Sequence, residues 1–326
     1  MRILIPGNHR FPAETAKGSG RRPKAFPSGS GYHLLDLTVQ GLTELGHEVV
    51  YLLPKGWDYE LPSPVHMVRE PDFAVDAAHV LAYVNETFHD ELKARSLPTV
   101  VSCHRDPHVE GRERGPVGDN WVYVSKTLAD AFGSGRYVLN GLDPQNYTFS
   151  SDGGSYLLFM AALEWAEPKG LSIALSVAEE AGMKLVVAGT GLTEEIIEHV
   201  AGQCRQHGAE YVGDVRGPEK AELFAGAKAF FFPTQIAEAF GLCIVEALMS
   251  GKPVISSANG ASPEIVSPEV GFICHSRSDY LEAIEACDGI SARVCRDYAV
   301  SRFHYQRMAA EYVREYEREI AGTRPR

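Results

Sequence analysis

No stretch of this sequence comes near the ~20 consecutive apolar residues that a helix needs to cross a bilayer, so no transmembrane segment is expected. Positive charge is also scarce. Thirty-one Lys and Arg stand against 43 Asp and Glu, a formal net charge of −12. Nucleic acid and anionic membrane surfaces reward basic proteins, so neither is expected as a partner. Cysteine is sparse, six in 326 residues, and Cys103, Cys204, Cys243, Cys274, Cys287 and Cys295 contain no C-x-x-C pair. Several sit in apolar runs, which fits reduced, buried thiols of a cytoplasmic protein and no zinc site. The opening "MRILIPG" enters a strand-like run directly, without the pattern of a signal peptide. The sequons Asn85-Glu86-Thr87 and Asn146-Tyr147-Thr148 are therefore read as chance matches.

What the sequence does have is alternation. Short β-branched runs ("RILIP", "HEVVYLL", "HVLAYV", "PTVVSC", "NWVYV", "RYVLN", then "YLLFMA", "KLVVAG", "EYVGD", "KAFFFP", "KPVIS", "VGFIC") are separated by segments of helical spacing such as "GYHLLDLTVQGLTELG" and "TEEIIEHVAGQCRQHG". Alternating strands and helices build parallel sheets with helices on both faces, and near-continuous apolar strands suit sheets buried on both sides. A polar, Gly-rich stretch, "SSDGGS" (Ser150 to Ser155), precedes a fresh apolar strand. The expectation is an α/β protein of two Rossmann-like, doubly wound domains, 1–150 and 155–302, facing a central cleft. Ligands of such sheets bind at the carboxyl ends of the strands.

The tail "RFHYQRMAAEYVREYEREIAG" places Phe303, Met308, Tyr312 and Tyr316 at helical spacing and predicts an amphipathic helix over 303–322. Between Gly7 and Ser30 lies a long loop with Arg10, Lys17, Arg21, Arg22 and Lys24 against one acid, Glu14. Loops of that length are commonly functional or disordered, so it is either a solvated loop or an anion-contacting lid.

The segment "EAFGLCIVE" holds a carboxylate at each end, Glu238 and Glu246, eight positions apart. "LCIVEALMSG" reads as a helix that stops at Gly251 before Pro253. Glu246 is its one acid, and a buried carboxylate needs a donor or a cation. That donor is either a structural partner, Lys252 or a nearby arginine, or the hydroxyls of a ligand. Glu238 lies in the loop leaving the strand "KAFFFP". Gly241 permits close backbone approach, and the helix start behind it offers amides to a phosphate. Two carboxylates for hydroxyls and amides for phosphate are what a nucleotide sugar requires.

The run "FFPTQIAEAFGLCIVEALMSGKPVIS", with "NGASPEIV" and "VGFI", closely resembles the hallmark region of family-4 retaining glycosyltransferases of the GT-B fold. The likeness extends to "SGSGYHLLDLTVQGLTELGHEVVYLL", "VYVSKTLADAFGSGRYVLNGLDPQNY", "LLFMAALEWAEPKGLSIALSVAE" and "SRFHYQRMAAEYVREY", and so covers most of the chain in order. It implies a C-terminal helix that crosses back to the first domain. It implies that Glu238 contacts hydroxyls of the transferred sugar and Glu246 the ribose. Backbone around Ala239, Phe240, Gly241 and Leu242 then holds sugar or phosphate, Lys169 before Gly170 grips the diphosphate, and Val215 of "GDVRG" borders the base. His104 after "PTVVSC" falls near the reacting carbon, with His108 its competitor. Gly29 and Gly31 approach the donor phosphate or the acceptor.

The resemblance further implies sugar transfer with retention from a UDP- or GDP-type sugar to a small-molecule or glycan acceptor, by front-face attack assisted by the departing phosphate. No cofactor is expected beyond the donor substrate. No D-x-D occurs, so no metal is expected either. One departure stands out: Ala161-Ala162 occupies the place of the family's Gly-Arg, whose arginine neutralises the diphosphate. Arg216 or Arg21 is a candidate substitute. The same departure motivates an alternative, a catalytically silent nucleotide-sugar-binding subunit that supports a partner enzyme. A sugar epimerase or phosphorylase on the same fold is a third reading.

Overall fold

A computed structural model of the chain describes residues 1–7, 30–53, 64–82, 86–106 and 117–323. Its strands are β1 (Arg2–Pro6), β2 (Glu48–Leu52), β3 (His66–Val68), β4 (Ala77–Leu81), β5 (Thr99–Cys103), β6 (Trp121–Tyr123), β7 (Tyr156–Met160), β8 (Lys184–Ala188), β9 (Glu210–Tyr211), β10 (Ala229–Phe232), β11 (Val254–Ser257) and β12 (Gly271–Cys274). The helices are α1 (Ser30–Glu44), α2 (Glu86–Ala94), α3 (Lys126–Ala131), α4 (Leu171–Glu180), α5 (Glu194–Gln206), α6 (Gly217–Ala225), α7 (Leu242–Met249), α8 (Ser262–Ile265), α9 (Arg277–Ala286), α10 (Ala292–Phe303) and α11 (Tyr305–Thr323). Among the described residues no helix is long and apolar enough to cross a membrane.

The chain forms two compact units, Met1–Leu142 with Phe303–Arg326, and Asp143–Arg302. The division falls ahead of the polar Ser150–Ser155 stretch because the intervening residues are tied into the second unit. Arg296 donates to the carbonyls of Pro144 (2.8 Å) and Tyr147 (3.2 Å), and the Tyr147 hydroxyl donates to Glu246.

The first unit is a parallel sheet in the order β3-β2-β1-β4-β5-β6, with Ile3 beside Val49 on one side and Ala77 on the other. Its apolar strand residues are buried on both faces; Ile3, Leu4, Ile5, Val49, Val50 and Val100 have no exposed surface. The segment "HMV" is a strand that the sequence pattern does not announce, being three residues long among polar neighbours. "RYVLN" is no strand: it contributes a single bridge, Tyr137 to Tyr123.

The C-terminal helix packs on this unit, starting at Tyr305 and not at Phe303. His304 leaves the helical ladder to form a parallel bridge with Leu142, whose N–H donates to the Phe303 carbonyl at 2.7 Å. Tyr305, Met308, Ala309, Tyr312 and Tyr316 make the buried face of α11. The α1 surface meets it at Gly41, where an added Cβ would lie 2.5 Å from the Ala309 Cβ. Arg136 holds the far end of α11 through Glu315 and, at 2.7 Å, Glu319.

The second unit repeats the plan with its parallel sheet in the order β12-β11-β10-β7-β8-β9. Chain order reverses between β7 and β10, which pair directly through Phe230 and Leu158. The carboxyl ends of these two strands therefore flank the crevice where doubly wound sheets bind ligands. Residues after β7 are Ala161 and Ala162; after β10 comes the loop 233–241.

Candidate functional site

The loop 233–241 is held by two neighbours. On one side Gly170, at φ 93°, lies so close to Pro233 that an added Cβ would meet its carbonyl oxygen at 2.1 Å, and Gln235 N–H donates to the Pro168 carbonyl at 2.8 Å. That contact sets Lys169 beside the end of β10, with its ammonium 5.3 Å from the centre of the Phe232 ring. On the other side Gly260, at φ 62°, abuts the Glu238 backbone, where an added Cβ would meet N and O at 2.1 and 2.3 Å. Ala261 N–H donates to the Glu238 carbonyl at 2.8 Å, and Asn259 Nδ2 donates to the carbonyl of buried Thr234 at 2.7 Å. The "NGAS" sequence is thus the clamp that fixes where the Glu238 side chain emerges.

Lys169 Nζ and Glu238 Oε2 form a close ion pair. Both side chains keep some solvent exposure, 20% and 12%. Two residues 69 positions apart in sequence are brought together beside the end of β10.

Behind Glu238 the backbone turns through Gly241 in a left-handed conformation (φ 88°) into α7. The first N–H groups of a helix have no partner within it and carry partial positive charge, so this start is suited to an anion. Ala239 and Leu242 are half-buried at the turn, while Phe240 is buried beneath it. Ser250 caps the other end and Gly251 follows at φ 80°, the left-handed stop that the sequence suggests. Cys243 is held as an inert thiol, pushed up to about 12 by burial and by Glu246 beside it.

Glu246 lies one turn along α7 and is buried, 6% exposed. Its Oε1 accepts from Lys220 Nζ of α6 at 2.6 Å and from the Tyr147 hydroxyl at 3.1 Å. Its Oε2 is buried and, among the described residues, has no hydrogen-bond partner. The partner is not Lys252, the structural alternative entertained above; Lys252 donates instead to the Asp152 carbonyl at 2.7 Å. Sequence reasoning missed Lys220 and Tyr147. Neither bears a spacing relation to position 246, since one arrives from the preceding helix and the other from the start of the unit. Burial and the Glu246 carboxylate push the Tyr147 phenol well above its ordinary range, so it stays a hydroxyl donor.

Val215 is buried in the turn between β9 and α6. Of the candidate substitutes for the absent arginine, Arg216 is engaged with Asp214 through Nε at 2.8 Å and a terminal nitrogen at 2.5 Å. Arg21, Gly29, His108 and the other basic residues of the loop before Ser30 lie outside the described residues, whereas Gly31 is in the first turn of α1. Ala161 and Ala162 leave β7 without a cation; the Ala161 carbonyl faces Gly189, where a Cβ would meet it at 1.8 Å.

His104 belongs to the first unit, directly after β5. Its Nε2 lies 3.2 Å from Ser102 Oγ, and its Nδ1 is buried without a partner among the described residues. Burial drives this imidazole down to about 4, so it is neutral at ordinary pH.

Residues 147–290 match the family described as glycosyl transferases group 1. The phosphatidyl-myo-inositol mannosyltransferase of Mycobacterium tuberculosis is 26% identical over 263 residues, covering 73% of this chain and 68% of that protein. With other curated relatives the chain aligns over only about two fifths of their length. A solved glycosyltransferase of avilamycin A biosynthesis, AviGT4, superimposes with a TM-score of 0.73 at 22% identity, over 99% of this chain and 98% of that one. HepE of Anabaena, solved with UDP and glucose, gives 0.66 at 15% identity over 96% and 98%. The chain has the GT-B fold.

Proposed function

We propose that the protein is a retaining glycosyltransferase that moves a sugar from a UDP- or GDP-type sugar to a small-molecule or glycan acceptor, without a metal. The observation that carries this reading is the grouping of Lys169, Glu238, the Gly241 turn and Glu246 at one end of one sheet. A cation and a helix start suit the diphosphate. The buried Glu246 Oε2 suits a ribose hydroxyl, which would supply its missing donor. Glu238 suits hydroxyls of the transferred sugar, and Val215 the edge of the base. The names of related proteins agree with sugar transfer, to a phosphatidylinositol in one, and HepE carries UDP and glucose.

In this reading Glu238 is no covalent nucleophile. Lys169 and the α7 amides stabilise charge on the departing diphosphate, whose oxygen takes the acceptor's proton as the acceptor attacks the same face. The two bonds at the anomeric carbon exchange on one side, so configuration is kept. His104, neutral, is assigned to the sugar near the reacting carbon, and Gly29 and Gly31 to the phosphate or acceptor side.

Ala161 and Ala162 favour a second reading, a catalytically silent nucleotide-sugar-binding subunit. Incubation with UDP-, GDP-, ADP- and dTDP-sugars and an acceptor panel separates the two. Release of a nucleoside diphosphate with a sugar product of unchanged anomeric configuration supports the transferase. Tight donor binding with no release under any pairing supports the silent subunit.

A further inference from the structure

Beneath His104 a line of buried polar groups runs through the first unit. His104 Nε2 is 3.2 Å from Ser102 Oγ on β5, and Ser102 has no exposed surface. The same Oγ is 2.9 Å from His79 Nε2 on the neighbouring strand β4. His79 Nδ1 is 2.6 Å from the Tyr316 hydroxyl of α11. His79 and Tyr316 are 2% and 0% exposed, and Tyr312 packs against the His79 ring with centroids 4.5 Å apart.

The direction of each hydrogen bond follows from its neighbour. Among the described residues the buried Tyr316 O–H has one acceptor, His79 Nδ1. An unmade bond there would carry the full desolvation cost, so Tyr316 donates. That leaves His79 with its proton on Nε2, which donates to Ser102 Oγ. The Ser102 hydroxyl then has His104 Nε2 at 3.2 Å and the Val80 carbonyl at 3.5 Å to choose between. The Tyr312 hydroxyl is also beside Ser102 but makes no hydrogen bond of good geometry. The shorter contact wins. His104 Nε2 accepts, and its proton sits on Nδ1, the buried nitrogen that lacks a partner.

We propose that Tyr316, His79 and Ser102 are positioning residues that fix the tautomer of His104, so that it presents an Nδ1–H donor to an acceptor oxygen of the bound sugar. This rests on the role given to His104 under Proposed function. Burial lowers His79 to about 3 and His104 to about 4, so both rings are neutral in the working range and the tautomer is the remaining variable. The second-layer bond to a ring nitrogen is the general device by which proteins choose which imidazole nitrogen is available. Its source here is unusual in sequence terms: the donor that starts the line is on the last helix, 237 positions from His79.

The test is the ring-nitrogen NMR spectrum of protein labelled with ¹⁵N-histidine, assigned with His79→Gln and His104→Gln. The expected result is protonated Nδ1 and bare Nε2 at His104, with the reverse at His79. In Tyr316→Phe both rings should lose their single tautomer. In Ser102→Ala His104 alone should do so, and Ser102→Thr, which keeps the hydroxyl, should restore it. In the transfer assay Tyr316→Phe and Ser102→Ala should lower kcat roughly 10- to 100-fold, the range of second-layer partners that orient an imidazole, with donor KM unchanged. His104 protonated on Nε2 in the wild type, or a tautomer indifferent to Ser102 and Tyr316, would overturn the proposal. The spectrum needs no substrate. The expected tautomers in a protein that turns over no nucleotide sugar would therefore sink the assignment of His104 to the reaction and leave the relay intact.

Discussion

Glu238→Gln separates binding from transfer. In the structure Glu238 occupies Lys169, and a diphosphate beside α7 must share or take over that ammonium. Two unit charges about 4 Å apart at an effective dielectric of about 20 attract by roughly 4 kcal/mol before solvent and side-chain entropy are counted. Pairs with some exposure, like this one, retain only about 1 kcal/mol net. The amide removes that competitor and also removes a negative charge near the phosphates. Both effects have the same sign, so UDP or GDP affinity should rise about fivefold, the equivalent of about 1 kcal/mol. Transfer should move the other way. A charge-assisted hydrogen bond to a sugar hydroxyl is worth about 1.5–3 kcal/mol, which lowers turnover roughly 10- to 150-fold. Calorimetric titration of the nucleoside diphosphate, alongside turnover of the sugar donor, reads both. Tighter nucleotide binding with slower transfer is expected. Weaker nucleotide binding, or wild-type turnover, would refute the reasoning.

Further outcomes follow from packing and burial. Gly41→Ala should destabilise the protein by about 1–3 kcal/mol, although alanine is the better helix former, because its Cβ would sit 2.5 Å from that of Ala309. The pair Gly41→Ala with Ala309→Gly should recover most of the loss in denaturant melts, and no recovery would mean that the contact is not the cause. His79 is held at about 3 against an ordinary 6.5, so below about pH 6.5 the unfolded chain binds a proton that the folded chain refuses. Its contribution is complete above that pH and falls by about 1.4 kcal/mol per pH unit on acidification toward 3. His79→Gln should therefore flatten the acid side of the stability curve relative to wild type; parallel curves would show that His79 is not kept neutral. Lys169→Ala should weaken nucleoside diphosphate binding at least tenfold, and unchanged affinity would point to another phosphate clamp.

The parts of the fold legible in the sequence are those set by local pattern. Periodicity and turn residues are short-range properties, and they suffice for the buried strands, for α7 and its stop at Gly251, and for the apolar face of α11. "HMV" escaped because three residues carry no period, and "RYVLN" misled because a strand-like composition met one bridging position and no ladder. At the candidate site, the carboxylates were visible as acids in an apolar run. The residues that hold Glu246 were not. Lys220 reaches Glu246 across 26 positions and Tyr147 across 99, distances at which only the folded chain decides who meets whom. The same is true of His79, Ser102 and Tyr316, each of which reads in sequence as an ordinary core position.

Glu246 carries the proposed nucleotide-sugar site most directly. Titration of UDP, GDP, ADP and dTDP into the wild-type protein and into Glu246→Ala compares binding with and without the orphaned Oε2. One nucleotide should bind the wild type well ahead of the others and lose at least tenfold in the variant, since a lost hydrogen bond to a charged group costs about 1.5–3 kcal/mol. Equal affinity in the two proteins, or no binding by any of the four nucleotides, would contradict it.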